Sequence, residues 1–158
     1  MNITVISVGK IKEKYFTAAI DEYSKRLSRF AKLNIIEVAD EKIPDNAPEK
    51  EMEQIKEKEG NKILAKLPQN SFVVTLCIEG KEHSSEELAK KIADISMTSS
   101  HITFIIGGSL GLSDTVKSKS ALRLSFGKMT LPHQLMRVVL LEQIYRAFKI
   151  NNNESYHK

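Results

Sequence analysis

The stretch Ile102-Thr103-Phe104-Ile105-Ile106-Gly107-Gly108-Ser109-Leu110-Gly111 is a near-continuous apolar run that ends in three glycines. Its β-branched apolar half has the pattern of a strand buried on both faces of a parallel sheet. Glycine tolerates positive φ and lets a ligand approach the backbone closely, and α/β folds bind ligands beyond the C-terminal ends of their strands. The glycines therefore fit a ligand loop, and they fit a plain tight turn as well. They match neither the G-x-G-x-x-G of a dinucleotide site nor a phosphate loop ending in Gly-Lys-Ser/Thr, so nothing here argues for NAD or ATP.

Working towards the N-terminus, Ser84 followed by Glu87 reads as a capping box that opens a helix burying Leu88, Ile92 and Ile95. A second continuous apolar run covers residues 72–78, and the Glu/Lys-rich segment 49–67 reads as a helix with one solvated face. Residues 43–48 carry turn punctuation, 33–38 and 3–8 read as strands, and Phe16, Ile20, Tyr23, Leu27 and Phe30 mark one face of a helix over 15–30. Towards the C-terminus, a short strand is expected over 121–126, and Pro132 marks the first turn of a last helix running to about Ile150. Alternating strands and helices predict an α/β fold: a parallel sheet flanked by helices, with residues 1–158 as one domain.

The last helix is apolar on almost every side from Leu135 to Leu141, with Arg137 the exception. A helix apolar all round must be covered all round, and a small domain can hardly do that at its chain end. The expectation is a homodimer in which this helix meets its own copy.

Hydrophobic residues make up 41% and charged residues 28%, a balance that excludes a disordered chain. No signal peptide and no run approaching about 18 consecutive apolar residues is evident, so a cytoplasmic protein without a membrane anchor is expected. Cys77 sits inside an apolar run and reads as a small packed hydrophobe. Neither metal-ligand spacing nor a Ser-His-Asp pattern stands out, and no metal is expected. Residues 1–96 hold 16 basic and 17 acidic side chains, whereas residues 97–158 hold 8 and 3. The basic C-terminal part fits a polyanionic partner such as RNA, or a lysine excess that only keeps the surface hydrated.

Two further constellations lie in that part. Ser125-Phe126-Gly127-Lys128-Met129-Thr130-Leu131-Pro132-His133 is a glycine-containing connection whose backbone would hold a flat heterocycle while Met129 and Leu131 pack on it; an ordinary strand-to-helix link has the same look. His133 falls at a helix start, where the dipole disfavours its protonated form and leaves a neutral, proton-accepting imidazole. The tail Glu154-Ser155-Tyr156-His157-Lys158 offers a stacking ring, a titratable base and a cation, a set suited to an unstacked RNA base, or else a frayed chain end.

With these residues laid out, the whole chain resembles the bacterial ribosomal RNA large subunit methyltransferase H family, which are minimal SPOUT methyltransferases. The resemblance runs from Ile6-Ser7-Val8-Gly9-Lys10-Ile11-Lys12 through Glu79-Gly80-Lys81 and Ile106-Gly107-Gly108 to Leu131-Pro132-His133-Gln134, Tyr145-Arg146-Ala147 and Tyr156-His157-Lys158. Leu110 stands where many relatives carry an acidic residue or asparagine. The resemblance implies a deep C-terminal trefoil knot, and S-adenosylmethionine held there by Leu76, Gly107, Phe126, Gly127, Lys128, Met129, Thr130 and Leu131. It also implies methylation of ring nitrogen three of a pseudouridine in 23S rRNA, within the ribosome.

That chemistry asks for a base or a cationic pocket, because an imide nitrogen is a poor nucleophile until its proton leaves. His133 and His157 are the candidate bases, and Arg137 and Lys158, with Tyr156, the candidate substrate contacts. The competing readings are a non-enzymatic ribosome-binding protein, which needs no cofactor pocket, and a SPOUT enzyme acting on tRNA.

Overall fold

The structure is a computed structural model that describes residues 1–158. Ten elements follow one another: β1 (Asn2–Val8), α1 (Lys14–Leu27), β2 (Lys32–Val38), α2 (Glu49–Lys66), β3 (Phe72–Glu82), α3 (Ser85–Ser96), β4 (His101–Ile106), α4 (Asp114–Ser118), β5 (Leu122–Ser125) and α5 (His133–Asn151). The five strands form one parallel sheet in the order β2-β1-β4-β3-β5.

The sheet is buried on both faces, as the apolar runs of β1 and β4 require. Ile3 and Val5 of β1, with Ile102, Phe104 and Ile106 of β4, pack with residues of α1, α3 and α5 in the larger core. The intervening Ile6, Val8 and Ile105 pack with Ile63 of α2 and Val116 of α4 in a smaller one. The alternation follows from the two-residue period of a strand. α3 begins at the expected capping box, with Glu87 N–H donating to Ser84 Oγ and Ser84 N–H donating to Glu87.

Several details differ from the sequence expectation. α4 was not foreseen; it is one turn of helix whose start is capped by the buried Ser113 hydroxyl. β3 runs beyond residue 78 to Glu82, with a register break against β5 between Leu76 and Lys81. Pro132 is the N-cap of α5, not a residue of its first turn, and its carbonyl accepts from Met136 N–H. α1 ends at Leu27, because the chain turns at 28–30 to bring Ala31 and Lys32 back to the sheet.

α5 packs against α1 and α3. Arg137, Leu140, Leu141, Ile144 and Ala147 are buried, whereas Leu135, Val138 and Val139 are only half-buried. No helix is long and apolar enough to cross a membrane.

Candidate active site

The C-terminal ends of β3, β4 and β5 open into a cleft of about 860 Å³, within the roughly 300–1,000 Å³ usual for small-molecule sites. Its floor is the glycine loop 107–112, which folds back so that Gly111 N–H donates to Gly108 O at 3.0 Å. A Cβ on Gly107 would lie 2.7 Å from the carbonyl carbon of Gly111, so Gly107 is required by close backbone approach and not by positive φ. The left-handed glycine of this loop is Gly111, with φ +83°.

One wall is the bulged part of β3, residues 76–79, and the facing wall is the connection from Phe126 to Gln134. Ser125 ties the two together: its hydroxyl donates to Ile78 O at 2.8 Å and accepts from Gly127 N–H at 3.1 Å. Gly127 adopts φ +113°, which turns the chain away from β5 and into the cleft wall. Gly80 lets β3 and β5 rejoin after the bulge, since a Cβ there would sit 2.7 Å from the Arg123 carbonyl. At the rim, Lys117 bridges to Glu79, and this ion pair holds the Glu79 carboxyl below its ordinary range.

Leu76, Gly107, Phe126, Gly127, Met129, Thr130 and Leu131 all line this one cleft; Lys128, from the same segment, does not. Met129 is 87% exposed, so any packing by that side chain needs something to lie over it. Cys77 also lines the cleft, where burial pushes its thiol up, away from the reactive thiolate.

His133 lines the cleft too, and burial followed by the nearby Arg137 charge lowers its pKa from the ordinary 6.5. Arg137 Nη2 lies 3.4 Å from His133 Nδ1. Both hydrogens of Arg137 Nη2 go to backbone carbonyls, so this long contact places a positive charge beside the ring without fixing which ring nitrogen carries the proton. Arg137 itself is 2% exposed and does not reach the surface. Its Nη1 donates to Glu37 at 2.7 Å, and its Nη2 donates to the carbonyls of Val8 and Gly9, each at 2.9 Å. In this chain Arg137 braces the ends of β1 and β2 behind His133 and makes no open cation for a substrate.

The tail is docked, not frayed. Tyr156 packs edge-on against Tyr145 with centroids 5.0 Å apart, and its hydroxyl donates to Glu142 at 3.0 Å. Burial, reinforced by Glu142, pushes the Tyr156 phenol up to about 12. Arg146 is bound to Glu142 and lies 4.7 Å over the Tyr156 ring. His157 is held on both nitrogens, with Arg146 Nη1 3.1 Å from Nδ1 and Glu86 Oε1 2.7 Å from Nε2. Lys158 is exposed. None of these tail residues lines the cleft of its own chain.

Sequence reasoning had not given a role to Glu142, Arg146 or the Glu79–Lys117 pair. Glu142 and Arg146 are one helical turn apart on α5, which was the available signal. The partners Tyr156 and His157 only meet them because the chain reverses after Asn151.

The family model described as "Predicted SPOUT methyltransferase" matches residues 1–157. Proteins named ribosomal RNA large subunit methyltransferase H from Clostridioides difficile and Clostridium novyi are 60% and 62% identical to the chain, with both partners covered over their full length. Among solved structures, a methylase-family protein from Haemophilus influenzae superposes with a TM-score of 0.58 at 13% identity, covering 99% of this chain and 70% of the other. A Legionella pneumophila methyltransferase, in complex with the bound cofactor SAM, superposes with a TM-score of 0.51 at 13% identity, covering 94% and 66%. The fold, the glycine-floored cleft and the full-length identity agree: this chain belongs to the SPOUT methyltransferases, in the ribosomal RNA large subunit methyltransferase H family.

Proposed function

We propose that the protein transfers a methyl group from S-adenosylmethionine to ring nitrogen three of a pseudouridine in 23S rRNA, acting as a homodimer on the ribosome in the cytoplasm. The observation that carries this reading is the cleft: its floor is a glycine loop whose backbone closes on itself at Gly107, its walls are mixed apolar and polar, and its volume suits a nucleoside-sized ligand. Leu76, Gly107 and the 126–131 segment would hold the cofactor, which when bound supplies an electrophilic methyl group. We also infer that the chain forms one domain whose C-terminal part is threaded as a trefoil knot, one of the rare exceptions to unknotted connections.

The chain's own part in the chemistry is to place the imide nitrogen and remove its proton. His133 and His157 are the candidate proton acceptors; His133 lines the cleft with a lowered pKa, whereas both ring nitrogens of His157 are held, by Arg146 and Glu86. The exposed Lys158 beside Tyr156 adds positive charge that lowers the imide pKa, and the proton leaves to His133 or to solvent as the nitrogen–methyl bond forms. The tail lines no part of its own cleft, so it serves the reaction by reaching the partner's cleft.

The half-buried Leu135, Val138 and Val139 on α5, with Leu131 and Met129 beyond its start, support the dimer. Light scattering at micromolar protein is expected to give twice the chain mass. Val139→Glu is expected to shift it towards one chain mass, because a carboxylate closed into an apolar contact is costly. A monomeric parent protein would overturn the dimer.

The activity is tested by mass spectrometry of 23S rRNA from a deletion strain, with and without the restored gene. Removal of residues 155–158 is expected to leave S-adenosylmethionine affinity within about twofold while lowering methyl transfer to ribosomes by roughly 100-fold or more, the pattern of groups used in the transition state. Full activity without the tail would remove it from the reaction. Loss of cofactor binding would place the tail in the pocket instead.

A further inference from the structure

The C-terminal half of the chain holds most of the charge excess, but the structure uses much of that charge internally. Lys117, Arg137, Arg146 and Lys149 are each paired with a carboxylate, and the cations left over lie on four separate segments. α2 has five lysines matched by five glutamates. A different segment stands out: Lys10, Lys12 and Lys14, three exposed lysines within five residues, none of them in an ion pair. Exposure alternates along the segment, with Ile11 and Glu13 half-buried between the lysines.

We propose that this β1–α1 loop, with Lys14 at the start of α1, is the surface that grips the phosphate backbone of the substrate RNA beside the cleft; the assignment rests on the RNA methyltransferase reading above. Three observations support it. The loop is rigid where it leaves the sheet: Gly9 N–H donates to Val38 O at 2.8 Å, and Ile11 N–H donates to Glu37 at 3.2 Å. It adjoins the cleft, because a Cβ on Gly9 would be 3.3 Å from the His133 ring that lines it. It is also bound to that ring's supports, since Arg137 grips Val8 O, Gly9 O and Glu37 at once. Ammonium groups presented on a fixed loop lose less on binding a phosphate than groups on a mobile one.

Two acidic side chains, Glu13 and Asp40, act on His133 from the same region, and Glu37 is neutralised by Arg137. Their presence leaves a modest local excess, so the loop works through discrete lysine–phosphate contacts and not through a broad field. Such contacts carry no base readout; they fix register and orientation. Each phosphate neutralised steepens the salt dependence of binding by about 0.7–0.9 in log–log slope.

The experiment uses the full-length protein with Lys10, Lys12 and Lys14 all changed to glutamine, which keeps part of each aliphatic stem. Binding to large ribosomal subunits from the deletion strain is measured across a range of salt concentrations, beside S-adenosylmethionine affinity. The slope is expected to fall by about 2 units, with affinity at low salt reduced by roughly 10-fold or more. Cofactor affinity and the far-ultraviolet spectrum are expected to stay unchanged. A control with Lys50, Lys58 and Lys66 of α2 changed to glutamine carries the same charge loss and is expected to keep the parent slope. An unchanged slope in the loop variant, or an equal loss in the α2 control, overturns the assignment while the enzyme reading stands. A parent protein that neither binds nor methylates ribosomal subunits overturns both.

Discussion

Replacing Glu37 with leucine is expected to destabilise the protein by about 3–5 kcal/mol, more than replacing Arg137 with methionine, for which about 1–3 kcal/mol is expected. The order runs against a simple reading of burial, since the Glu37 side chain is 38% exposed and that of Arg137 only 3%. The difference lies in what each change leaves behind. Without Glu37, a guanidinium stays enclosed with two carbonyls and no counter-charge, and its Nε already lacks a partner. Without Arg137, the Glu37 carboxylate remains within reach of water and keeps the Ile11 N–H. Urea unfolding of both variants, with unchanged slopes as a check on two-state behaviour, measures the order. Equal losses, or a larger loss for Arg137→Met, would show that the carbonyl contacts and not the ion pair hold β1 and β2 together.

The second large effect is expected at the cleft floor. Gly107→Ala puts a methyl group 2.7 Å from the carbonyl carbon of Gly111, where backbone and not a flexible side chain must give way. Such overpacking costs about 1–3 kcal/mol, and borne by the loop it lowers S-adenosylmethionine affinity by roughly 10- to 100-fold. Gly111→Ala is the informative comparison. Its methyl group would meet nothing within 4 Å, and only the φ of +83° resists it, at a cost of about 1–2 kcal/mol that falls on folding as well as on binding. Calorimetry should therefore find the larger affinity loss for Gly107→Ala and a comparable or larger stability loss for Gly111→Ala. Unchanged affinity in the Gly107 variant would take the glycine loop out of the cofactor site.

These two sites also mark how far the sequence could be read. Strands buried on both faces advertise themselves by composition, so β3 and β4 were legible in their apolar runs, and the Ser84–Glu87 capping box located α3. The glycine loop was legible as a turn after β4 that fits either a ligand loop or a plain tight turn, but its first glycine is needed for backbone crowding, which leaves no trace in a dihedral preference. α4 escaped notice because five residues are too short to show helical period. The 126–131 segment became a cleft wall only through the pairing of Ser125 with Ile78, 47 positions away, and no local pattern encodes that. Arg137 looked like a free cation on an apolar helix; its fate was set by Glu37, 100 positions earlier. The charge excess of the C-terminal part left two readings open for the same reason, since charge counted along a chain says nothing about which charges meet.

The position of β4 in the sheet has a consequence for how the protein is made. β4 lies between β1 and β3, so it alone joins the β2-β1 pair to β3 and β5. During synthesis the first hundred residues therefore emerge as two separate patches, one of paired strands and one lone strand, each with a bare edge and an uncovered apolar face. Neither patch can close on the other until the six residues of β4 arrive and fill the slot. α5, which covers the larger core, arrives later still. Closure is thus a late, long-range event of the kind that slows folding. Until β4 is in place, the unpaired strand edges of both patches stay open to strand-to-strand association.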